Sequence, residues 1–295
     1  MNTKTAMITI AGRPNVGKST LTNYLVGEKI AIVSNKPQTT RNRICGIVTR
    51  GDTQFVFVDT PGYHRARTKL GDYMVNVARE SIADVDATIL VVEPIPSIGP
   101  QEEGLIEKIN GSRCPAILAI NKIDTVEKDK LLEVIAVYSQ AAKFDAIIPI
   151  SAKTGDGVEQ LLAQCDKYAI ESPFLFDEEL TTDQPERQVM AEIIREKILW
   201  NLDREIPHGT AVEITRFSER DSGIIDIDAT IYCEKASHKG IIIGKRGDML
   251  KKISTQARTD CEKFMGTKVY LTTWVKVKEN WRDSDFLVRN FGYND

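Results

Sequence analysis

No apolar run in the chain approaches the roughly 18 residues that a membrane-spanning helix requires, and the polar start MNTKT reads as lacking a signal peptide. A soluble protein is the expectation. Cysteine is sparse, with residues 45, 114, 165, 233 and 261 scattered without metal-ligand spacing. That pattern fits reduced thiols in a cytosolic protein rather than a disulfide framework or a zinc site. Charge of neither sign dominates: 39 Lys and Arg stand against 42 Asp and Glu, and a net charge of −3 by itself implies no polyanionic partner. At 295 residues with 42% hydrophobic content, the chain is long enough for about two globular domains.

What is present is concentrated in four short segments: Gly12 to Ser19 (GRPNVGKS), Asp59 to Gly62 (DTPG), Asn121 to Asp124 (NKID) and Ser151 to Lys153 (SAK). The first has the form of a phosphate-binding loop. Gly12 and Gly17 leave the backbone free of Cβ so that successive N–H groups can face phosphate oxygens. Lys18 is placed to reach the β- and γ-phosphates, and Ser19 offers Mg²⁺ a hydroxyl at the positive end of a helix. The apolar run Met7, Ile8, Ile10 and Ala11 precedes the loop, and Leu21, Tyr24 and Leu25 follow at helical spacing, which predicts strand, loop, helix.

The other three segments also follow apolar strands. Asp59 ends the run Phe55 to Val58, where a carboxylate can hold Mg²⁺ through water, and Gly62 can give its N–H to the γ-phosphate. Asn121 to Asp124 follow the strand Ala116 to Ile120. A carboxylate at Asp124 accepts both the N1–H and the 2-amino group of guanine, a donor pair that adenine lacks. Lys122 is expected to pack along the base or the loop, and the Ala152 N–H to donate to the guanine oxygen. Together the four segments describe a pocket for GTP.

At these residues the chain resembles the translation-factor-related GTPases, and GRPNVGKS with DTPG is similar to their Era and Der branch. The resemblance covers about residues 5 to 170 and implies a threonine that closes over the γ-phosphate and Mg²⁺. Thr40 is the first choice and Thr39 the alternative. The implied nucleotide set is Gly12, Asn15, Val16, Gly17, Lys18, Ser19, Thr20, Asp59, Gly62, Asn121, Lys122, Asp124, Ser151, Ala152 and Lys153. Ser19, Thr40 and Asp59 form its metal side, and Lys18, Thr40, Gly62 and Asn15 its catalytic side. Small signalling GTPases place a glutamine after DxxG, whereas this chain has Tyr63 and His64, so slow intrinsic hydrolysis is expected. Asn15 carries the expectation, from related GTPases, of a potassium ion acting in hydrolysis.

Val158 to Ala169 read as one more helix, and the polar, proline-marked stretch that follows reads as a linker. The expected organisation is a GTPase domain over 1–172, a linker over 173–187 and a second domain over 188–295. In that second part the pattern runs helix (Val189 to Leu202), strand (Ala211 to Phe217), strand (Ile225 to Glu234), short helix (Lys239 to Ile243), GKRG, helix (Asp248 to Phe264) and strand (Val269 to Lys278). With 19 glycines in the chain, about one GxxG arises by chance, so Gly244 to Gly247 matters only for its context. It falls between two helices, where a KH domain keeps the loop that clamps a nucleic-acid backbone. Lys245 and Arg246 occupy its centre, and from Lys235 to Lys278 eleven Lys or Arg face three acids. This local excess points to a phosphate backbone.

One GTPase domain followed by αββααβ with GKRG resembles the Era family, and EIIREKI (Glu192 to Ile198) and WVKVK (Trp274 to Lys278) extend the match over nearly the whole chain. The implied fold is an α/β P-loop GTPase domain, mostly parallel sheet flanked by helices, followed by an α+β type II KH domain. The resemblance implies GTP and GDP with Mg²⁺ as ligands, and the 3′ end of 16S ribosomal RNA and the 30S subunit as partners in late assembly. RNA is expected at Gly244, Lys245, Arg246 and Gly247, with Ile242 and Ile243 as an apolar groove and Lys251 and Lys252 alongside. Trp281 and Arg282 can add contacts or can simply be packed. A cytoplasmic monomer is expected, with peripheral association at the inner face of the membrane left open. Two other classes compete: a GTPase whose second domain binds protein, and an RNA-binding protein with a vestigial nucleotide site.

Overall fold

The computed structural model describes residues 3–61, 68–80 and 85–293. They divide into two compact units. The first gathers the chain up to Ala31, a stretch beginning at Thr40, and Met74–Asp183; the second gathers Ile32–Thr39, a stretch ending at Tyr73, and everything from Gln184.

The first unit is built around strands Ala87–Val92 and Ala116–Ile120, buried at every position, the pattern of a sheet covered on both faces. Its strands are β1 (Lys4–Ala11), β2 (Ile44–Arg50), β3 (Thr53–Asp59), β4 (Ala87–Val92), β5 (Ala116–Ile120), β6 (Ala146–Pro149) and β7 (Ile170–Glu171). They lie in the order β2-β3-β1-β4-β5-β6, with β7 pairing the start of β1. All neighbours from β3 to β6 are parallel, and β2 and β7 are antiparallel to theirs. Alternate residues of β4 feed two different cores. Ile89 and Val91 join Leu21 and Leu25 of α1 (Lys18–Val26) and Leu161 of α5 (Val158–Cys165). Leu90 and Val92 join Leu105 of α3 (Pro100–Gly111) and Val134 and Tyr138 of α4 (Lys128–Ala141). Between β3 and β4 runs α2 (Lys69–Glu80). The connections leaving β1 and β4 run to opposite sides of the sheet, and the crevice at the carboxyl ends of two such strands is where ligands bind.

The stretch expected as a linker is largely fastened to this unit. Ser172 and Thr3 exchange two hydrogen bonds, and Gln54 Oε1 accepts from the N–H groups of Leu175 and Phe176. Ile47 N–H donates to the Thr181 carbonyl, Gly46 bridges Thr182, and Asp183 accepts from Cys45 N–H. An exposed edge such as that of β2 has unpaired backbone groups to satisfy, and this polar segment satisfies them. The next helix starts at Glu186, so the free connection is shorter than expected.

In the second unit the order is α6 (Glu186–Asn201), β8 (Thr210–Glu219), β9 (Ile225–Cys233), α7 (Ala236–Ile243), α8 (Asp248–Met265), β10 (Val269–Val277) and α9 (Asp285–Asn290). This is the expected αββααβ followed by a short tail helix. β9 is central, parallel to β10 and antiparallel to β8, which shifts register between Ile214 and Arg216. One core joins Ile194 and Ile198 of α6, Ile227 and Ile231 of β9, Ile242 of α7, Ile253 and Ala257 of α8, and Val269 of β10. Trp281 turns out to be packed. Fully buried, it donates its indole N–H to the Gly209 carbonyl at 3.0 Å and meets Phe291 edge-on. Replacing Trp281 by Ala should destabilise this unit by about 3–5 kcal/mol, read as a shift of its urea unfolding transition.

Candidate functional site

The loop between β1 and α1 is built by close approach. Gly17 stands at φ 102°, in the region that favours glycine, and a Cβ there would lie 2.2 Å from Asn121 Nδ2. Behind it, Lys18 is buried, and its ammonium donates to the carbonyls of Gly12 and Arg13, each at 3.0 Å. Burial lowers its pKa from 10.5 to about 8, opposed by the charge of Asp59. Val16 is wholly buried and Asn15 sits exposed with φ 67°, while Thr20 is half-buried on the first turn of α1.

Ser19 Oγ donates to Asp59 Oδ2 at 2.6 Å and lies 2.9 Å from Thr40 Oγ1. The structure therefore brings Thr40, not Thr39, to this point; Thr39 Oγ1 donates to the Lys36 carbonyl at 2.6 Å. Asp59 is fully buried, and its Oδ1 has no hydrogen-bond partner. Burial raises its pKa from 3.8 to about 6, against the lowering effects of Lys18, the Ser19 hydroxyl and the Thr60 N–H. An unpaired carboxylate oxygen beside two hydroxyls is a hard-oxygen donor set that fits Mg²⁺. Among the described residues there is no group of three or more His, Cys, Asp or Glu that could hold a metal ion.

Asn121 ties the remaining loops together. Its Nδ2 donates to the Val16 carbonyl at 2.7 Å, and its Oδ1 accepts the Ala152 N–H at 2.9 Å. The N–H expected to face guanine is thus used by Asn121 in this structure, because the amide of Asn121 reaches both loops. Asp124 is exposed on a short 3₁₀ turn and accepts the Ser151 hydroxyl at 2.8 Å, which orients its carboxylate. Lys153 is exposed. Lys122 Nζ donates to the Asn15 carbonyl at 2.8 Å and pairs with Glu93, which also pairs with Arg13. Glu93 was not singled out from sequence, although a carboxylate directly after the apolar run of β4 was the available signal. Gly62, Tyr63 and His64 lie outside the described residues.

On the second unit, Gly244 to Gly247 joins α7 to α8 with Lys245 and Arg246 exposed. Gly244 has φ 75°, and a Cβ there would fall 2.6 Å from that of Met249. Lys251 and Lys252 are exposed on the first turns of α8. Ile242 corrects the expectation of an apolar groove: it is fully buried in the core, because α7 turns that side onto the sheet, and Ile243 is half-buried. The exposed apolar side chain of this helix is Ile241. Arg282 is held by Glu234 at 2.6 Å.

These two units define a phosphate-loop GTPase domain joined to a KH domain. The family described as 50S ribosome-binding GTPase matches residues 7–122, and the KH domain family matches residues 205–282. The chain is 52% identical to the GTPase Era of Ruminiclostridium cellulolyticum over 99% of its length and 98% of that protein. It is 52% identical to that of Alkaliphilus oremlandii over the whole of both. Two solved structures superpose with a TM-score of 0.94 at 36% identity, covering 99% of this chain and all of theirs. One is Aquifex aeolicus Era with a tyrosine-to-alanine change, bound to GDP·AlF4−. The other is Era in complex with MgGDPNP and nucleotides 1506–1542 of 16S ribosomal RNA. The chain belongs to the Era family of GTPases.

The paired shifts at Lys18 and Asp59 have a definite sign. Burying Asp59 as a carboxylate opposes folding in full above about pH 6, and that cost is relieved as pH falls from about 6 toward 3.8. Burying Lys18 as an ammonium opposes folding below about pH 8 and is relieved as pH rises toward 10.5. In Lys18→Met the Asp59 carboxyl should titrate above its wild-type value, because the charge that counters its burial is gone. The carboxyl carbon shift followed by NMR in nucleotide-free protein checks this, and an unchanged or lowered value contradicts the pairing.

Proposed function

We propose that this chain is a GTP-hydrolysing switch that binds the 3′ end of 16S ribosomal RNA through its KH domain and assists assembly of the 30S subunit. The observation that carries the reading is the convergence of Ser19, Thr40 and the half-satisfied Asp59 beside the buried Lys18. Lys18 brings a charge to the β- and γ-phosphates, and the N-terminus of α1 adds its N–H groups. Ser19, Thr40 and Asp59 would hold Mg²⁺, which when bound neutralises charge on the phosphate oxygens. Asp124, aimed by Ser151, accepts the paired donors of guanine. With Tyr63 and His64 following the DxxG, no glutamine is there to orient water, and intrinsic turnover is slow.

Potassium is part of the same reading, at Asn15. Asn15 is exposed at the tip of the phosphate loop in a left-handed conformation; its backbone carbonyl accepts from Lys122, and its side-chain amide oxygen is the atom that would meet a cation beside the phosphates. Turnover should be faster in potassium than in sodium at equal ionic strength, and equal rates would remove the ion from the mechanism.

For the RNA half, the support is a KH-type loop whose two central side chains are exposed cations, next to Lys251 and Lys252. The related Era bound to a 16S ribosomal RNA fragment supports the same partner. No helix among the described residues is long and apolar enough to cross a membrane. A cytoplasmic monomer, with any membrane attachment peripheral, completes the reading. The double change Lys245→Asp and Arg246→Asp should weaken binding of a fluorescent RNA copy of the 16S 3′ end by at least about tenfold, with GTP affinity unchanged. Undiminished binding, or equal binding of a scrambled strand at the same salt, would give the second unit another partner.

A further inference from the structure

Helix α6 buries three successive charged side chains, Arg195, Glu196 and Lys197, at 0%, 0% and 1% exposure. Charges are seldom buried unless paired, and neither the nucleotide pocket nor the GKRG loop uses these. Their partners include residues of the segment Ile32–Thr39, which belongs to the same compact unit as α6. At the start of that segment, Val33 N–H donates to Glu196 Oε1 at 2.8 Å, and Trp200 Nε1 donates to the Val33 carbonyl at 2.9 Å. In its middle, Lys36 Nζ reaches the Leu202 carbonyl and, at 3.0 Å, Asp203. At its end, Arg195 Nη2 donates to the Thr39 carbonyl. Glu192 grips the same guanidinium through Nε at 2.8 Å and Nη2 at 2.5 Å, and Lys197 braces Glu196 at 2.7 Å.

The residue after this segment is Thr40, whose hydroxyl meets Ser19. The Thr39 carbonyl and the Thr40 nitrogen share one rigid peptide plane. A charge-assisted hydrogen bond on that carbonyl therefore constrains the direction in which Thr40 leaves it. We propose that Arg195 and Glu196 are positioning residues for GTP hydrolysis, holding both ends of 33–39 so that Thr40 is delivered to Ser19 and Asp59. This rests on the reading of Thr40 as the hydroxyl that closes over the γ-phosphate and Mg²⁺.

The test compares Arg195→Met, which keeps the stem and loses the donors, with Arg195→Lys, Trp200→Phe and Thr40→Ala in the full chain. Affinities for a fluorescent GTP analogue and for GDP are measured with Mg²⁺, together with kcat and KM. Arg195→Met should lower analogue affinity relative to GDP, and kcat, each by about tenfold. GDP affinity should not move, since GDP has no γ-phosphate for Thr40 to close over. Arg195→Lys should recover part of the loss. Trp200→Phe removes the indole N–H while keeping an aromatic ring for Lys197, on a side chain that is 52% exposed, and should shift the affinity ratio the same way by less, which keeps the test decisive if Arg195→Met does not fold. If the analogue-to-GDP ratio and kcat are unchanged in the folded strap variants while Thr40→Ala lowers both, the proposal is overturned and the nucleotide reading stands. If Thr40→Ala is also without effect, the reading of Thr40 falls and the proposal with it.

Discussion

A buried ammonium and a buried carboxylate, Lys18 at the start of α1 after β1 and Asp59 at the end of the adjacent parallel strand β3, set the central constraint of the first unit, which is organised around the cost of keeping both dry. Neither forms a direct ion pair with the other among the described contacts. Lys18 is held by two backbone carbonyls, and Asp59 by a hydroxyl and an N–H. An isolated charge in such a place would neutralise, and both pKa values move in that direction. The loop that supplies the two carbonyls must therefore keep its shape, which is why Asn121 is bonded to Val16 and Gly17 has room for no Cβ. Glu93 completes the cradle from β4 by pairing with Arg13 and Lys122. The loops that carry Arg13, Val16, Lys122 and Ala152 are thus tied together through two side chains, Asn121 and Glu93.

The second unit repeats the device with different residues. Its core is almost wholly aliphatic, yet α6 carries Arg195, Glu196 and Lys197 into the interior. Apolar residues of similar volume would pack there without desolvating charge. What the charges provide is geometry. Glu196 accepts from one defined N–H and Arg195 donates to one defined carbonyl, so the segment 33–39 has a fixed register along the helix. A hydrophobic contact, being non-directional, would permit the segment to slide.

Much of this was legible in the sequence, for a physical reason. The phosphate loop, DTPG, NKID and SAK are each contiguous, because a ligand approached by backbone needs several neighbouring residues of restricted type. The strand Ala116 to Ile120 was read to the residue, since a strand buried on both faces has no polar position to blur its ends. The αββααβ order followed from alternation in β9 and β10. What could not be read depends on residues distant in the chain. The polar segment up to Asp183 looked like a linker because its apolar content is low, but it is bound by backbone hydrogen bonds, to which composition is blind. Ile242 and Ile243 are adjacent isoleucines, and only the packing of α7 decides which of them faces inward.

The choice between Thr39 and Thr40 shows where sequence reasoning ends and why. Both lie in one hydroxyl-rich run, and both oxygens are satisfied. Thr39 turns its hydroxyl back to Lys36 and presents its carbonyl to Arg195, whereas Thr40 presents its hydroxyl to Ser19. The division between the two compact units falls between these residues. The boundary runs through the peptide bond that leads into Thr40, and each unit gathers more than one stretch of the chain. The segment 33–39 that precedes Thr40 is bonded to side chains encoded some 155 residues later, Arg195 and Glu196. That separation hides the link from any reading of local motifs.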